Sequence, residues 1–435
     1  MPFTRLGRAA LLLSALLLLS LAGPAWAAET TSVDTGGTAW VITASALVLF
    51  MTLPGLALFY GGLVRARNLL SVLMHCFIIC CIVSLIWGLF GYSLVFGDGG
   101  SFIGPLNKAF LAHLGDKKLP GHLPEMAFVL FEMTFAVITP ALIVGAFTER
   151  VRFPFVVLFS AAWVIIVYLP VAHWVWGGGW AAQHNVLDFA GGIVVHTTAG
   201  ISALVTAMLI GARRGFPHNL TPPHSPGLTM AGAGMLWVGW FGFNGGSALA
   251  ANASAATAIV ATHFAASAGA LTWIALEWLR VGKPTSVGLV TGCVAGLATI
   301  TPASGFVGPM GAIAIGVAGG LVCFHATLLV KQRLKIDDSL DVFAVHGVGG
   351  MLGSVLVAIF AASALGGVGY VASMDLSRQL GVQVLVVLVV ALWSAVATAI
   401  LVKLLDVTVG VRVSAEEEYD GLDLAAHGER AYDHT

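Results

Sequence analysis

The sequence predicts an all-α polytopic membrane protein, with eleven transmembrane helices forming a five-plus-five inverted repeat plus one added helix. Three observations carry this. Apolar residues are 58% of the 435 and charged residues only 9%, against ~25% charged in a soluble domain. That is too little charge to clothe a water-facing surface of this size. Apolar runs long enough to cross ~30 Å of hydrocarbon recur along the chain. Glycine is abundant, at 53 residues without a collagen period, which suits membrane helices whose backbones approach closely. A net charge of −1 leaves no basic patch for nucleic acid. Cys76, Cys80, Cys81, Cys293 and Cys323 all lie in apolar runs, so neither a disulfide framework nor a zinc site is expected. No cofactor or metal is expected.

Taken in order, Arg5 and Arg8 precede the apolar run Ala9 to Leu21, then Pro24 and the small-x-small Ala25-Trp26-Ala27. This reads as a secretory signal, residues 1–27, rather than an uncleaved first helix, and it puts the mature N-terminus outside. The membrane domain, 28–406, carries spans near 39–62, 69–96, 125–147, 153–173, 191–212, 228–247, 255–279, 285–300, 306–330, 342–363 and 380–405. The eighth is the shortest. A polar tail, 407–435, follows.

The distribution of basic residues fixes the orientation. With the N-terminus outside, the inner loops and tail hold Arg65, Arg67, Arg150, Arg152, Arg213, Arg214, Arg280, Lys283, Lys331, Arg333, Lys335, Lys403, Arg412 and Arg430. Outer loops hold Lys108, Lys117, Lys118 and Arg378. A map wrong by one early helix would destroy that partition. The chain is expected in the plasma (inner) membrane, surrounded by the lipid bilayer, with its C-terminus in the cytoplasm.

The repeat shows in the same map. Asp188 and His196 are eight residues apart at the head of the fifth span, and Asp338 and His346 are eight apart at the head of the tenth. Those spans run in opposite directions. Ile138-Thr139-Pro140 and Ile300-Thr301-Pro302 form a weaker echo. Inverted repeats of this kind are a transporter architecture with the working site at the midplane.

Eight residues of helix at ~1.5 Å each would put each His ~12 Å below its Asp, so both rings would approach the midplane. Ionisable side chains at that depth mark a permeation path, and neutral imidazole can both donate and accept. Asp188 and Asp338 open their helices as N-caps, and Asp341 reads as a cap or inner-loop contact. An outer-face carboxylate such as Asp188 would also favour a cation, either directly or through the backbone it caps. Aromatic residues form a second constellation: Trp176, Phe131 and Phe135 four apart, and Phe243 with Ser247 four residues on. Ring faces attract a desolvated cation by roughly 0.5–2 kcal/mol each, although most of the aromatics must belong to interfacial belts and core packing. Glu132 stands between the two phenylalanines, as a helix contact or as charge near the outer mouth. Glu277, beside Arg280, reads as a surface or interhelical pair.

These stretches resemble the ammonium transporter family (Amt/Mep/Rh). The matching segments are Ala57 to Asn68 (ALFYGGLVRARN), Trp176-Gly177-Gly178-Gly179, Asp188 to His196 (DFAGGIVVH), Gly239 to Ser247 (GWFGFNGGS) and Asp341 to Gly347 (DVFAVHG). They cover nearly the whole mature chain, and the two long motifs are specific. The resemblance implies eleven helices per subunit, a homotrimer and one pore in each subunit. It implies that Trp176, Phe135 and Ser247 form an outer ammonium-recruitment site supported by Asp188. It further implies that Phe135 and Phe243 form a gate, and that His196 and His346 are the twin histidines of an ammonia-conducting pore. Glu132 departs from the pattern, since many relatives carry an amide there. The tail segments Val409 to Val413, Glu416-Glu417-Glu418 and His427 to Tyr432 resemble bacterial tails that couple subunits and help receive PII-type regulatory proteins.

The leading function is then an electrogenic, non-enzymatic ammonium transporter within nitrogen metabolism. The alternatives are a passive ammonia channel and an ammonium sensor signalling through its tail. An intramembrane enzyme ranks last, because the spans hold neither a His-Glu-x-x-His motif nor paired carboxylates suited to hydrolysis.

Overall fold

In this computed structural model the described residues are 33–115, 119–219 and 221–432. The expected signal and the loop residues Lys117 and Lys118 lie outside them. Long helices in chain order are α1 (Thr35–Leu63), α2 (Ala66–Phe96), α3 (Glu125–Phe147), α4 (Phe153–Gln183), α5 (Gly192–Ile210), α6 (Pro226–Gly246), α7 (Ala253–Val281), α8 (Ser286–Ile300), α9 (Pro309–Arg333), α10 (Phe343–Phe360) and α11 (Leu376–Thr408). Two short tail helices follow, α12 (Ala415–Asp420) and α13 (Leu422–His427). No strand forms among the described residues; an isolated antiparallel bridge joins Val151 to Arg412.

Among the described residues, nine of these helices are long and apolar enough to cross a bilayer. The others are α8, which is shorter, and α6, whose glycines and tryptophans dilute its hydropathy. Side-chain caps start the helices as the sequence dictates. Asp34 accepts from Gly37 N, Ser225 from Leu228 N, Asn252 from Ala255 N, Thr285 from Gly288 N and Asp375 from Arg378 N. On α11, Leu385, Leu388, Leu392, Val396, Ile400 and Leu404 are exposed along one face, the pattern of a helix whose outer surface meets lipid rather than water.

Polar chemistry gathers at one end of the bundle. Glu149, between α3 and α4, accepts from Arg65 Nε at 2.8 Å and Arg213 Nη1 at 2.9 Å, and Arg213 also pairs with Asp337 at 2.9 Å. Burial alone would raise the Glu149 carboxyl, but the guanidiniums of Arg213 and Arg65 hold it down at about 2. Arg150 is wholly buried. It donates to the carbonyls of Ala146, Thr148, Gly211 and Asp337 and to the Ser339 hydroxyl. The Glu277 carboxylate accepts from the backbone N and hydroxyl of Thr285, an interhelical contact that seals the start of α8.

The tail docks on this same end. Asp423 accepts from Leu70 N and Ser71 N at 3.0 and 2.8 Å, capping the long part of α2, while Leu422 N donates to the Asn68 side chain. Buried Glu418 accepts from Arg214 N and from Arg412 Nη2, both at 2.9 Å.

Candidate functional site: a track between two chambers

α5 and α10 cross with their backbones in contact. A Cβ added at Gly200 would lie 2.2 Å from Gly347 Cα, and one at Gly350 would lie 2.5 Å from His196 Cβ. Only glycine permits that approach. It brings His196 and His346 together, Nδ1 to Nδ1 at 3.3 Å, with both rings buried. One ring nitrogen donates to the other, in the direction that the tautomers set.

The route to this arrangement corrects the expectation of eight helical residues from each Asp. α5 starts at Gly192 and the π-turn of α10 at Phe343, so each His lies about one turn below its helix start. The depth comes instead from where the helices begin. Asp188 and Asp338 are themselves buried, so both helices open inside the protein. The Asp188 carboxylate accepts from the N–H groups of Gly191, Gly192, Ile193 and Val194 at 2.6–3.1 Å. Asp338 accepts from Phe343 N at 2.7 Å, and Asp341 pairs with Lys331 at 2.7 Å.

On the side of the bundle away from the tail, a chamber of about 280 Å³ is lined by Glu132, Phe135, Trp176, Ser247, Phe189 and neighbouring apolar residues. Trp176 meets Phe135 edge-on, ring centroids 5.6 Å apart, and its indole N–H donates to the Asp188 carbonyl at 2.9 Å. Asp188 thus touches the chamber's Trp through its backbone. Its carboxylate faces the start of α5. The Ser247 hydroxyl donates to the Phe243 carbonyl at 2.9 Å, which leaves its oxygen able to accept from a guest. Phe131 packs on Phe135 with ring centroids 5.0 Å apart.

Below the chamber, Phe135 and Phe243 overlap at 4.2 Å and 34°, and Phe243 lies 6.2 Å from the His196 ring. The space beyond is a slit of about 10 Å³ between Leu, Ile, Val and Met side chains and the two imidazoles, room for roughly one water molecule. His346 also lines a second chamber of about 350 Å³, walled by Tyr60, Arg65, Glu149, Arg213, Lys331 and Asp341.

Two supporting residues escaped sequence reasoning. Trp240 stacks on His196 at 5.5 Å and 24°, anchored by its N–H to the Thr301 hydroxyl at 2.8 Å. His173 places Nδ1 2.7 Å from the Val95 carbonyl and Nε2 3.0 Å from that of Gly100, tying the turn that carries Trp176 to the end of α2. The spacing of His173 three residues before Trp176 was the available signal for the second. The first had none, because Thr301 is 61 residues from Trp240.

A many-helix membrane protein built around an apolar, histidine-bearing track between an aromatic chamber and a charged one is the class that this fold and site define. A sequence model of the Ammonium Transporter Family matches residues 39–432. An ammonium transporter of Aquifex aeolicus is 45% identical over 421 residues, covering 96% of this chain and 98% of the relative. Among solved structures, Saccharomyces cerevisiae Mep2 superposes with a TM-score of 0.81 at 36% identity over 89% of each chain. A protein titled Sensor Amt Protein superposes with a TM-score of 0.84 at 31% identity, covering 90% of this chain and 98% of that one. The chain belongs to the ammonium transporter family.

Proposed function

We propose that this protein is an electrogenic ammonium transporter. Ammonium is recruited in the outer chamber by Trp176, Phe135 and Ser247, with Asp188 acting through the backbone. It loses its proton there, ammonia passes the Phe135–Phe243 gate and the apolar slit, and the proton crosses separately along His196 and His346. The observation that carries this reading is the unbroken order of chamber, paired rings, paired imidazoles and second chamber. Naked charge is costly in such an apolar slit, whereas neutral ammonia is a small polar molecule that an imidazole can hydrogen-bond.

In this reading residues 1–27 are removed as a signal and the domain 28–406 crosses the inner membrane eleven times as an inverted repeat plus one. The N-terminus is outside and the tail 407–435 cytoplasmic, the chain assembles as a homotrimer, and the tail face receives a PII-type regulator. The test is current across proteoliposomes after an ammonium jump, with His196→Ala and His346→Ala alongside. A saturable current absent from empty vesicles and lost in both variants is the expected result. Internal alkalinisation without current would instead mean a passive ammonia channel, and neither signal would overturn transport.

A further inference from the structure

The inward face of α11 is mostly apolar, with the buried hydroxyls of Ser394 and Thr398 farther along and two buried amides near its start. Gln379 and Gln383, one turn apart, are buried to 1% and 0% exposure. Every hydrogen-bonding position of the Gln383 amide is used. Oε1 accepts from Leu187 N at 2.8 Å and from Gln379 Nε2 at 3.2 Å; Nε2 donates to the Leu187 carbonyl at 2.8 Å and the Ser354 carbonyl at 2.7 Å. Gln379 Nε2 also donates to the Asn185 carbonyl at 3.0 Å.

The reciprocal N–H and C=O pairing with Leu187 is the pair of bonds that an adjacent antiparallel strand residue would make. Here a side chain supplies both. A buried amide is unfavourable against an apolar residue of equal volume unless all its groups are satisfied, so filling space does not account for it. What it holds is the extended stretch ending at Asp188, whose carboxylate caps α5 and whose carbonyl receives the Trp176 indole. Ser354 lies eight residues beyond His346 on α10. One amide therefore ties α11 to α10 and to the segment that seats Trp176.

We propose that Gln383, oriented by Gln379, is a positioning residue for the outer cation site, and that α11 thereby sets the affinity of recruitment from outside the repeat. This rests on reading the outer chamber as the ammonium site. The test compares KM and maximal current in proteoliposomes for wild type, Gln383→Leu and Thr398→Ala. Thr398 is equally buried in α11, bonded to Ser202 and Trp163 far along the helix, so its loss lowers thermal stability and leaves KM unchanged. Gln383→Leu is expected to raise KM about tenfold with maximal current within about twofold, the signature of lost uniform binding. A Gln383→Leu protein with unchanged KM, or with current reduced at constant KM as for any structural lesion, overturns the proposal. If that variant does not reach the membrane, Gln379→Met, which spares the Leu187 pair, decides the matter. A two- to threefold higher KM is expected, and an unchanged one overturns it. A wild type without saturable current removes the transport reading and this proposal together, whereas normal wild-type transport with unaltered variants removes the proposal alone.

Discussion

His196 Nδ1 lies 3.3 Å from His346 Nδ1 because the helices carrying them touch backbone to backbone. The imidazole pair is thus only as well aligned as the glycines at the crossing allow. Gly350→Val should push on the His196 Cβ and reduce ammonium-evoked current by more than ~tenfold, a displacement of the order of 1 Å being enough for such losses. Gly381→Val on α11, where a new Cβ meets nothing within 4 Å, should leave the current intact. Equal currents in the two variants would sink the alignment argument.

Trp176 is held by its N–H to Asp188 and contacts Phe135 with its ring. Replacing it by Leu keeps apolar bulk and removes the π-face. Ammonium KM should rise roughly two- to thirtyfold, the range spanned by one cation–π contact of 0.5–2 kcal/mol. Concentration dependence of the current measures it, and an unaltered KM would count against cation recruitment at this ring.

The Glu149 carboxyl is held at about 2 in the folded chain, against ~4.3 unfolded. A depressed carboxyl stabilises the fold fully above the unfolded value and loses that contribution as pH falls through the folded one. Between about pH 4 and 2 the purified protein should lose about 3 kcal/mol from this group. Glu149→Gln should lower the melting temperature at pH 7 and flatten the acid limb of the profile. Parallel acid limbs for the two proteins would contradict the assignment.

Asp423 caps α2 from the tail. Asp423→Ala removes a cap worth about 0.5–2 kcal/mol, so the tail should open more often. Tryptic cleavage after Arg412, whose backbone is bridged to Val151, should quicken about fivefold if ~1 kcal/mol of local stability is lost. Unchanged cleavage would show that the other tail contacts suffice.

The apolar runs and the Asp-to-His spacing made the long helices and the two histidines legible, because burial and helical periodicity are local signals. Trp176, Phe135 and Phe243 were a different case. Among 12 Trp and 24 Phe nothing in composition marks them, and they came from the family resemblance alone. The helical path expected from Asp188 to His196 was not legible, since Asp188 caps across a turn that includes Gly191 at φ 110° before α5 starts at Gly192. Contacts such as Arg65 to Glu149, 84 residues apart, and Asn68 to Leu422, 354 apart, have no local signature. The contacts by which the tail docks were therefore hidden. Gln379 and Gln383 did carry a signal, two amides one turn apart in an apolar run, and only their partners were hidden.

The four N–H groups gathered by Asp188 have an electrical meaning as well as a structural one. A helix start carries roughly half a positive charge from its aligned peptide dipoles. α5 starts inside the protein, next to the segment that seats Trp176, where such a pole would oppose an arriving cation. The Asp188 carboxylate sits directly on it and turns the local field from positive to negative without placing a side chain in the path. In the proposed reading, the attraction for a cation at the outer mouth is in this sense built partly into the backbone, beside the Glu132 carboxylate that lines the same chamber.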